Sequence, residues 1–103
     1  MIARVWHGYT TSVNATAYEH LLQSKILPAI ELQHGHKVQL LVRALPDRGE
    51  VEFITICYFD DLEQIKQFAG EDYERCVVPN EAHVLLKRFD ERSQHYEPKR
   101  SGP

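Results

Sequence analysis

The sequence has few cysteines, no long apolar run and no block of positive charge. Its two cysteines, Cys57 and Cys76, are not spaced like a metal-binding pair or a redox dithiol, so we expect two free thiols. No apolar stretch approaches the roughly 20 residues that a membrane-spanning helix needs, which argues against a membrane partner. Because the net charge is -3 and no basic block can follow a phosphate backbone, nucleic acid is not an expected partner either.

The beginning of the chain also lacks the basic segment, apolar core and small-residue cleavage site of a secretory signal, so we expect a cytoplasmic protein. A length of 103 residues supports one continuous hydrophobic core but not two. We therefore expect a single domain over residues 1–98, followed by a disordered tail over 99–103.

Hydrophobic periodicity predicts the order strand, helix, strand, strand, helix, strand. The connection PDRGE between two apolar runs is typical of a β-hairpin, and Pro28 should end or kink the first helix near Lys25. The clearest helix is DDLEQIKQFAG, which begins with acidic residues and stops at Gly70. The predicted strands cover residues 2–10, 37–45, 51–59 and 92–98, and the predicted helices cover 14–30, 60–70 and 80–89, with two helical turns over 71–78.

This order predicts an α+β fold of the ferredoxin-like, split βαβ type, with a four-stranded antiparallel sheet and helices on one face. Both hairpin strands are apolar on both faces, whereas a sheet with one wet face would alternate more cleanly. The helices are too few to cover both faces. We therefore expect a second copy of the chain on the other face, which makes the protein a homodimer.

Three stretches, IARVWHG at the start, FDDLEQIKQFAGED in the second half and HYE near the end, resemble small proteins of the antibiotic biosynthesis monooxygenase family. This family lies in the dimeric α/β-barrel superfamily, and the resemblance covers nearly the whole chain up to about residue 98. It implies a homodimer whose two sheets face each other as a barrel. It also implies a small-molecule cleft in each subunit between the sheet and the helices.

The resemblance implies several functions, because one fold supports many activities. The family includes cofactor-independent oxygenases that act on polycyclic phenols and quinone precursors, and it includes haem-degrading enzymes. The haem-degrading branch has an Asn on strand one, a Trp on the second long helix and a haem-ligating His further on. The nearest positions here hold Trp6 or His7, Phe68 and the histidine-free segment 76–78, so haem degradation is not expected.

His7 and His95 are the candidate catalytic residues, because histidine titrates near neutrality and both lie on predicted strands next to helices. The alternative is that each is hydrogen-bonded at a strand end or at the dimer interface. Adjacent strand residues point to opposite faces, so Trp6 and His7 cannot both line one cleft without a bulge. The face that His7 occupies therefore decides whether it can be a base.

Five aromatic residues and one further histidine are candidate substrate-binding residues, because aromatic faces stack on flat ligands. They are Trp6, Tyr58, Phe68, Tyr73, Tyr96 and His83. The alternative is that they form the core or the dimer interface. By strand parity, we expect the side of the sheet that carries Tyr58 to face the helices.

The charged residues predict no metal or cofactor. His34 and His36 flank Gly35, but no third ligand follows them at a metal-binding spacing. The strand arginines, Arg4 and Arg43, must be paired or solvated, and either a salt bridge or an anionic ligand meets that need.

Two main hypotheses follow. The first is a cofactor-independent monooxygenase that acts on a small aromatic or polyketide-like substrate, with His7 removing the proton of the substrate. The second is a non-catalytic dimer that binds a small molecule or is purely structural. A third, an isomerase or dehydratase of the same superfamily, needs acid and base groups but no dioxygen. A cavity between sheet and helices would favour the first or third over a solid structural core.

Overall fold

In the computed structural model, which describes residues 1–100, a five-stranded antiparallel sheet carries the helices on one side. This α+β architecture is compatible with a ferredoxin-like fold. The strands are β1 (Ile2–Thr11), β2 (Gln39–Leu45), β3 (Glu50–Phe59), β4 (Leu86–Phe89) and β5 (Gln94–Tyr96). The α-helices are α1 (Ala15–Leu21), α2 (Leu27–His34), α3 (Leu62–Ala69) and α4 (Asn80–His83).

Strand β1 lies in the middle of the sheet. It pairs with β3 along its whole length, from Ile2 opposite Phe59 to Thr11 opposite Glu50, and β2 pairs with the other edge of β3. The expected hairpin is confirmed, and its strands are joined by a 3-10 turn after which Gly49 adopts a positive φ of 62°. Glycine has no Cβ and therefore adopts this left-handed conformation without strain.

The second edge of β1 holds two short strands instead of the single fourth strand that we expect from the sequence. Strand β4 pairs with Gly8 to Thr10 of β1, and β5 pairs with Ala3 to Val5. The prediction of a helix over 80–89 is therefore wrong beyond α4, which is only four residues long. Pairing with the free edge of β1 satisfies the backbone of β4, and this tertiary contact overrides a helical spacing of apolar residues.

The first helix passes Pro28 by changing its winding. A π-helical turn over Leu22–Ile26 joins α1 to α2, and Pro28 occupies the first turn of α2. The wider π turn lies just before Pro28. In a regular α-helix the ring of Pro28 would crowd the carbonyl four residues earlier, and its nitrogen has no hydrogen to donate to that carbonyl. The expected kink near Lys25 therefore takes the form of this π turn, and the helix ends at Gly35 with a φ of 79°.

The expected helical turns over 71–78 are absent from the described chain, where turns and extended backbone take their place. Ser93 N donates to Glu74 O at 2.6 Å, and Cys76 N donates to Glu91 O at 2.9 Å. Segment 74–76 therefore pairs with segment 91–93, which separates β4 from β5. This pairing satisfies backbone groups that a helix would otherwise have satisfied internally.

Two clusters of buried apolar side chains fill the space between sheet and helices. Strand β3 contributes alternate residues to both, because odd-numbered side chains of β3 face the helices. The buried members are Tyr18, Leu22, Leu27, Phe53 and Ala82 in one cluster, and Cys57, Phe59 and Ile65 in the other.

Within residues 1–100, no helix has both the length and the apolar character needed to cross a membrane. The predicted disordered tail falls partly on residues 101–103, which lie outside the described residues.

We predict that Phe53→Ala lowers the free energy of unfolding by about 3–5 kcal/mol, because it empties a fully buried site that contacts the Tyr18 ring edge-on. Val42 is the cross-strand neighbour of Phe53 but is 46% exposed, and Val42→Ala should change stability by less than about 1 kcal/mol. Urea unfolding followed by the fluorescence of Trp6, at one fixed protein concentration, measures both. Equal losses in the two variants would contradict this description of the core.

Candidate functional site

Trp6 and His7 point to opposite sides of the sheet, as strand parity requires. Trp6 lies opposite Thr55 of β3 and faces the helices, whereas His7 lies opposite Ile54 on the face that no helix covers. There, His7 Nδ1 is 3.0 Å from Glu52 Oε2. The favoured base from the sequence therefore lies outside the space between sheet and helices.

A cleft opens between the sheet and the helices, and it has two adjoining parts. The inner chamber has a volume of about 60 Å³ and includes Arg4, Trp6, Tyr18, Thr55, Cys57 and Ser93 in its wall. The outer chamber has a volume of about 260 Å³ and lies between the π turn with α2 and the segment around Val77 and Pro79. The two chambers share Ile26, Ile30, Phe68, Val77 and Pro79. They therefore form one apolar channel that narrows toward the sheet.

Trp6 is held in a fixed orientation in the wall of the inner chamber. Its indole Nε1 donates to the carbonyl of Asp90 at 2.6 Å, and its ring lies 5.8 Å from the ring of Phe89. A Cβ atom at Gly8 would come within 3.0 Å of the Trp6 ring, so the bare backbone of Gly8 is what admits the ring at this position. Trp6 therefore presents a flat apolar surface, since its only donor is already used.

Among residues 1–100, Arg4 is the single charged residue in the wall of the inner chamber, and it is only 4% exposed. Its guanidinium donates to the backbone carbonyls of Tyr73 and Arg75, the latter at 2.8 Å. It also lies 3.0 Å from His95 Nε2, which must accept because a guanidinium only donates. Burial lowers the pKa of Arg4 from its usual value, although arginine stays charged at neutral pH.

Apart from Arg4, the ionisable side chains of the inner chamber are neutral near pH 7. Burial raises the pKa of the Cys57 thiol to about 11, which keeps it protonated and unreactive. Burial also raises the pKa of the Tyr18 phenol, so its hydroxyl stays protonated. None of the histidines within residues 1–100 lines either chamber.

His95, the second candidate catalytic residue, lies behind Arg4 rather than in the wall of the cleft. Its ring contacts Tyr73 edge-on at 5.4 Å, and its Nδ1 is buried without a partner among the described residues. Burial, followed by the nearby charge of Arg4, lowers the pKa of His95. The neutral imidazole therefore accepts a hydrogen bond from Arg4 and does not line either chamber.

The structure brings together only two of the six candidate substrate-binding residues, Trp6 and Phe68. Tyr73 lies nearby and contributes its carbonyl to Arg4. The expectation that Tyr58 faces the helices is wrong, because its hydroxyl donates to Gln39 Oε1 on the uncovered face. Tyr96 is 54% exposed and lies opposite Ala3 on that same face.

His83, the remaining candidate, lines a separate depression together with Cys76, Val78 and Phe89. Its ring is 5.5 Å from that of Phe89. His83 is the last residue of α4, which is a single helical turn. Its side chain lies outside the cleft, whereas the neighbouring Ala82 lines the cleft.

The uncovered face of the sheet combines apolar side chains with two paired carboxylates. Hydrogen bonds from Arg88 and Lys87 hold the pKa of Glu50 below its usual range. Burial works to raise the pKa of Glu52, but hydrogen bonds from His7, Arg43 and Tyr9 outweigh it and lower the pKa. Of the alternatives that the sequence left open for Arg43, the structure shows a salt bridge, with Nε at 2.9 Å from Glu52 Oε1. The apolar residues between these pairs are Val5, Leu41, Ile54 and Ile56.

Within residues 1–100, no group of three or more His, Cys, Asp or Glu side chains is placed to hold a metal ion. Comparison with known proteins finds no matching family model, no similar curated protein and no similar solved structure.

Sequence reasoning missed Arg4, Tyr18, Thr55, Cys57 and Ser93 as cleft residues. Strand parity places Arg4 on the same face as Trp6, and this was the one usable signal for it. Ser93 had no signal, because its place depends on the pairing of segments 74–76 and 91–93.

We predict that the Cys57 thiol reacts slowly in the folded protein. In a Cys76→Ala variant at pH 8, a pKa near 11 instead of the usual 9.0 leaves about 100-fold less thiolate. Labelling by a disulfide reagent should therefore be at least about 100-fold slower in buffer than in urea. The Cys57→Ala variant, which leaves the half-buried Cys76, serves as the control. Equal rates in buffer and urea would show that Cys57 is open to solvent.

Proposed function

We propose that this protein is a cytoplasmic, cofactor-independent oxygenase that acts on a small aromatic or polyketide-like molecule bound in the cleft. The observation that carries the proposal is the apolar channel that ends on the fixed face of Trp6. The resemblance of the sequence to the antibiotic biosynthesis monooxygenase family supports the same function. A flat ring that enters between Ile26 and Pro79 would reach the face of Trp6.

The reaction balances with dioxygen as the only oxidant. A substrate CH₂ group next to a carbonyl and aromatic rings loses a proton to solvent base, and the resulting anion transfers one electron to dioxygen. The two radicals combine to a peroxide anion, which takes a proton back from solvent to form a hydroperoxide; the hydroperoxide loses water and leaves a carbonyl, so CH₂ and O₂ become C=O and H₂O. The protonated Tyr18 phenol would donate a hydrogen bond to the oxygen that carries the charge of the anion.

Solvent takes the role of base in this proposal because His7 faces the other side of the sheet. An isomerase or dehydratase is less well supported, since its chemistry needs an acid and a base beside the substrate. The inner chamber offers neither a histidine nor a carboxylate among the residues that the structure describes.

One observation favours a second candidate, a non-catalytic protein that binds a small molecule. A protein that only binds its ligand needs no base, which agrees with the absence of one in the described wall of the cleft. The inner chamber of about 60 Å³ also admits only part of a ring. Binding without oxygen uptake distinguishes this candidate from the oxygenase.

We further propose that two copies of the chain pack through their uncovered sheet faces to form a dimeric α/β barrel. This face carries Ile54, Ile56 and the half-exposed Leu41, which would leave apolar surface in water in a single chain. Its charged residues do not oppose packing, because Glu50 and Glu52 are already paired within the chain. The homodimer expected from the sequence uses the same face.

We predict that Leu41→Glu converts the dimer to a monomer, because it places an unpaired charge in the middle of an apolar contact. Leu41 is 52% exposed in a single chain, so the fold itself should be retained. Leu32→Glu is the matched control, since Leu32 is 89% exposed on α2 and lies on the other side of the molecule. Light scattering coupled to gel filtration measures the masses. A wild-type monomer, or dissociation in both variants alike, would contradict the proposed interface.

We predict that the purified protein consumes dioxygen in the presence of anthrone or dithranol, and that dialysis against a chelator leaves the rate unchanged. Tyr18→Phe should lower kcat/KM by about 10- to 100-fold, because the oxyanion loses a buried donor. Tyr58→Phe removes the same hydroxyl on the uncovered face and should leave the rate unchanged. Quenching of Trp6 fluorescence by these compounds without oxygen uptake would support the binding protein instead.

A further inference from the structure

Arg4 is a buried cation without a buried anion. It is 4% exposed, and within residues 1–100 no aspartate or glutamate forms an ion pair with it. The Cys57 thiol lies in the same wall and is neutral, because burial raises its pKa to about 11. Buried charges in proteins are normally paired or coordinated, since desolvation of a lone charge is costly.

The partners of Arg4 are all neutral and do not use its full capacity. A guanidinium has five N–H bonds, of which three point to the carbonyls of Tyr73 and Arg75 and to His95 Nε2. The Nε–H and one Nη2–H remain without a partner among the described residues. Since Arg4 lines the inner chamber, a hydrogen-bond acceptor on a bound ligand can accept from these two N–H groups.

A second unsatisfied group lines the same chamber. Ser93 is 3% exposed, and its Oγ is buried with no hydrogen-bond partner among residues 1–100. Buried hydroxyls in proteins are nearly always hydrogen-bonded, and an orphan hydroxyl needs an explanation. The backbone N–H of Ser93 donates to Glu74 O at 2.6 Å, which holds this residue in the wall of the chamber. Arg4 lies on β1 and Ser93 lies between β4 and β5, and the fold places both in the wall of the inner chamber.

We propose that the inner chamber binds an anionic oxygen of the ligand, a carboxylate or a phenolate, through Arg4 and Ser93, while the apolar body of the ligand lies in the outer chamber. The proposal rests on the proposed function, because it names the substrate class of the same cleft. A charge-assisted hydrogen bond from Arg4 supplies the missing counter-charge, and Ser93 donates to the same oxygen or its partner oxygen. The chamber of about 60 Å³ has room for such a small polar group.

The apolar outer chamber defines the rest of the ligand. Ile26, Ile30, Phe68 and Pro79 lie around it, so the body of the ligand is a hydrocarbon ring or chain without further charges. Lys25 and Glu81 at the rim are paired with each other at 2.6 Å and do not select charge of either sign. Charge recognition is therefore confined to the inner end.

Fluorescence of the single tryptophan, Trp6, tests the inference directly because it lies in the wall of the inner chamber. Cyclohexanecarboxylate and cyclohexanecarboxamide share one apolar body and differ in charge, and neither absorbs in the range of the measurement. Titrated at constant ionic strength, the carboxylate should bind at least about 10-fold more tightly than the amide. Ser93→Ala should weaken carboxylate binding by about 3- to 10-fold.

Arg4→Gln should abolish the preference for the carboxylate over the amide. Arg43→Gln is the matched control, because it removes an arginine from the adjacent uncovered face and should leave the preference unchanged. If Arg4→Gln does not fold, the two probes on the wild-type protein and on Ser93→Ala still decide the question.

Equal affinities for the two probes in the wild-type protein, or no binding of either, would overturn the inference. In the first case the cleft binds by apolar contact alone and Arg4 only fastens segment 73–75 to the sheet. Oxygen uptake with anthrone is measured separately, so failure of the anion site and failure of the proposed reaction are distinguishable.

Discussion

The alternation of side chains along β1 is the constraint on which the rest of the structure depends. Because β1 lies between β3 and the pair β4 and β5, each of its residues must face either the helices or the uncovered side. Arg4 and Trp6 face the helices, and His7 and Tyr9 face away from them. A shift of one residue in the pairing would exchange the two sets and move an imidazole into the cleft. The chemistry available to each side is thus set by register.

The two faces of the sheet differ in how their buried charges are paired. On the uncovered side, Glu50 and Glu52 are each satisfied by arginine within the same chain, and Arg88 also lies over the ring of Tyr9 at 3.7 Å. On the helix side, Arg4 has only neutral partners. The first arrangement is complete without a ligand, which suits a surface for packing against protein. The second arrangement is incomplete, which suits a site that receives a charged group.

Local patterns in the sequence were enough to predict β1, the hairpin of β2 and β3, and α3. Each of these has a period of apolar residues together with an explicit boundary, such as Asp61, whose side chain accepts from Gln64 N at the start of α3. Residues 71–78 and 84–89 were predicted wrongly because their structure comes from pairing with distant partners, Glu91 to Ser93 and the free edge of β1. Parity separated Trp6 from His7, but only the position of the helices determines which of them faces the cleft.

Strand β3 contributes side chains to both the cleft and the uncovered face, which connects the proposed ligand site to the proposed dimer interface. Thr55 and Cys57 line the inner chamber, and Ile54 and Ile56, their direct neighbours along β3, face the other way. A partner subunit that orders Ile54 and Ile56 also fixes the backbone that carries Thr55 and Cys57, because adjacent residues share a peptide plane. The reverse holds as well: a ligand that orders the chamber wall also orders the sheet from its other side. Linkage of this kind is reciprocal, so any effect of the ligand on dimer affinity must equal the effect of dimerisation on ligand affinity.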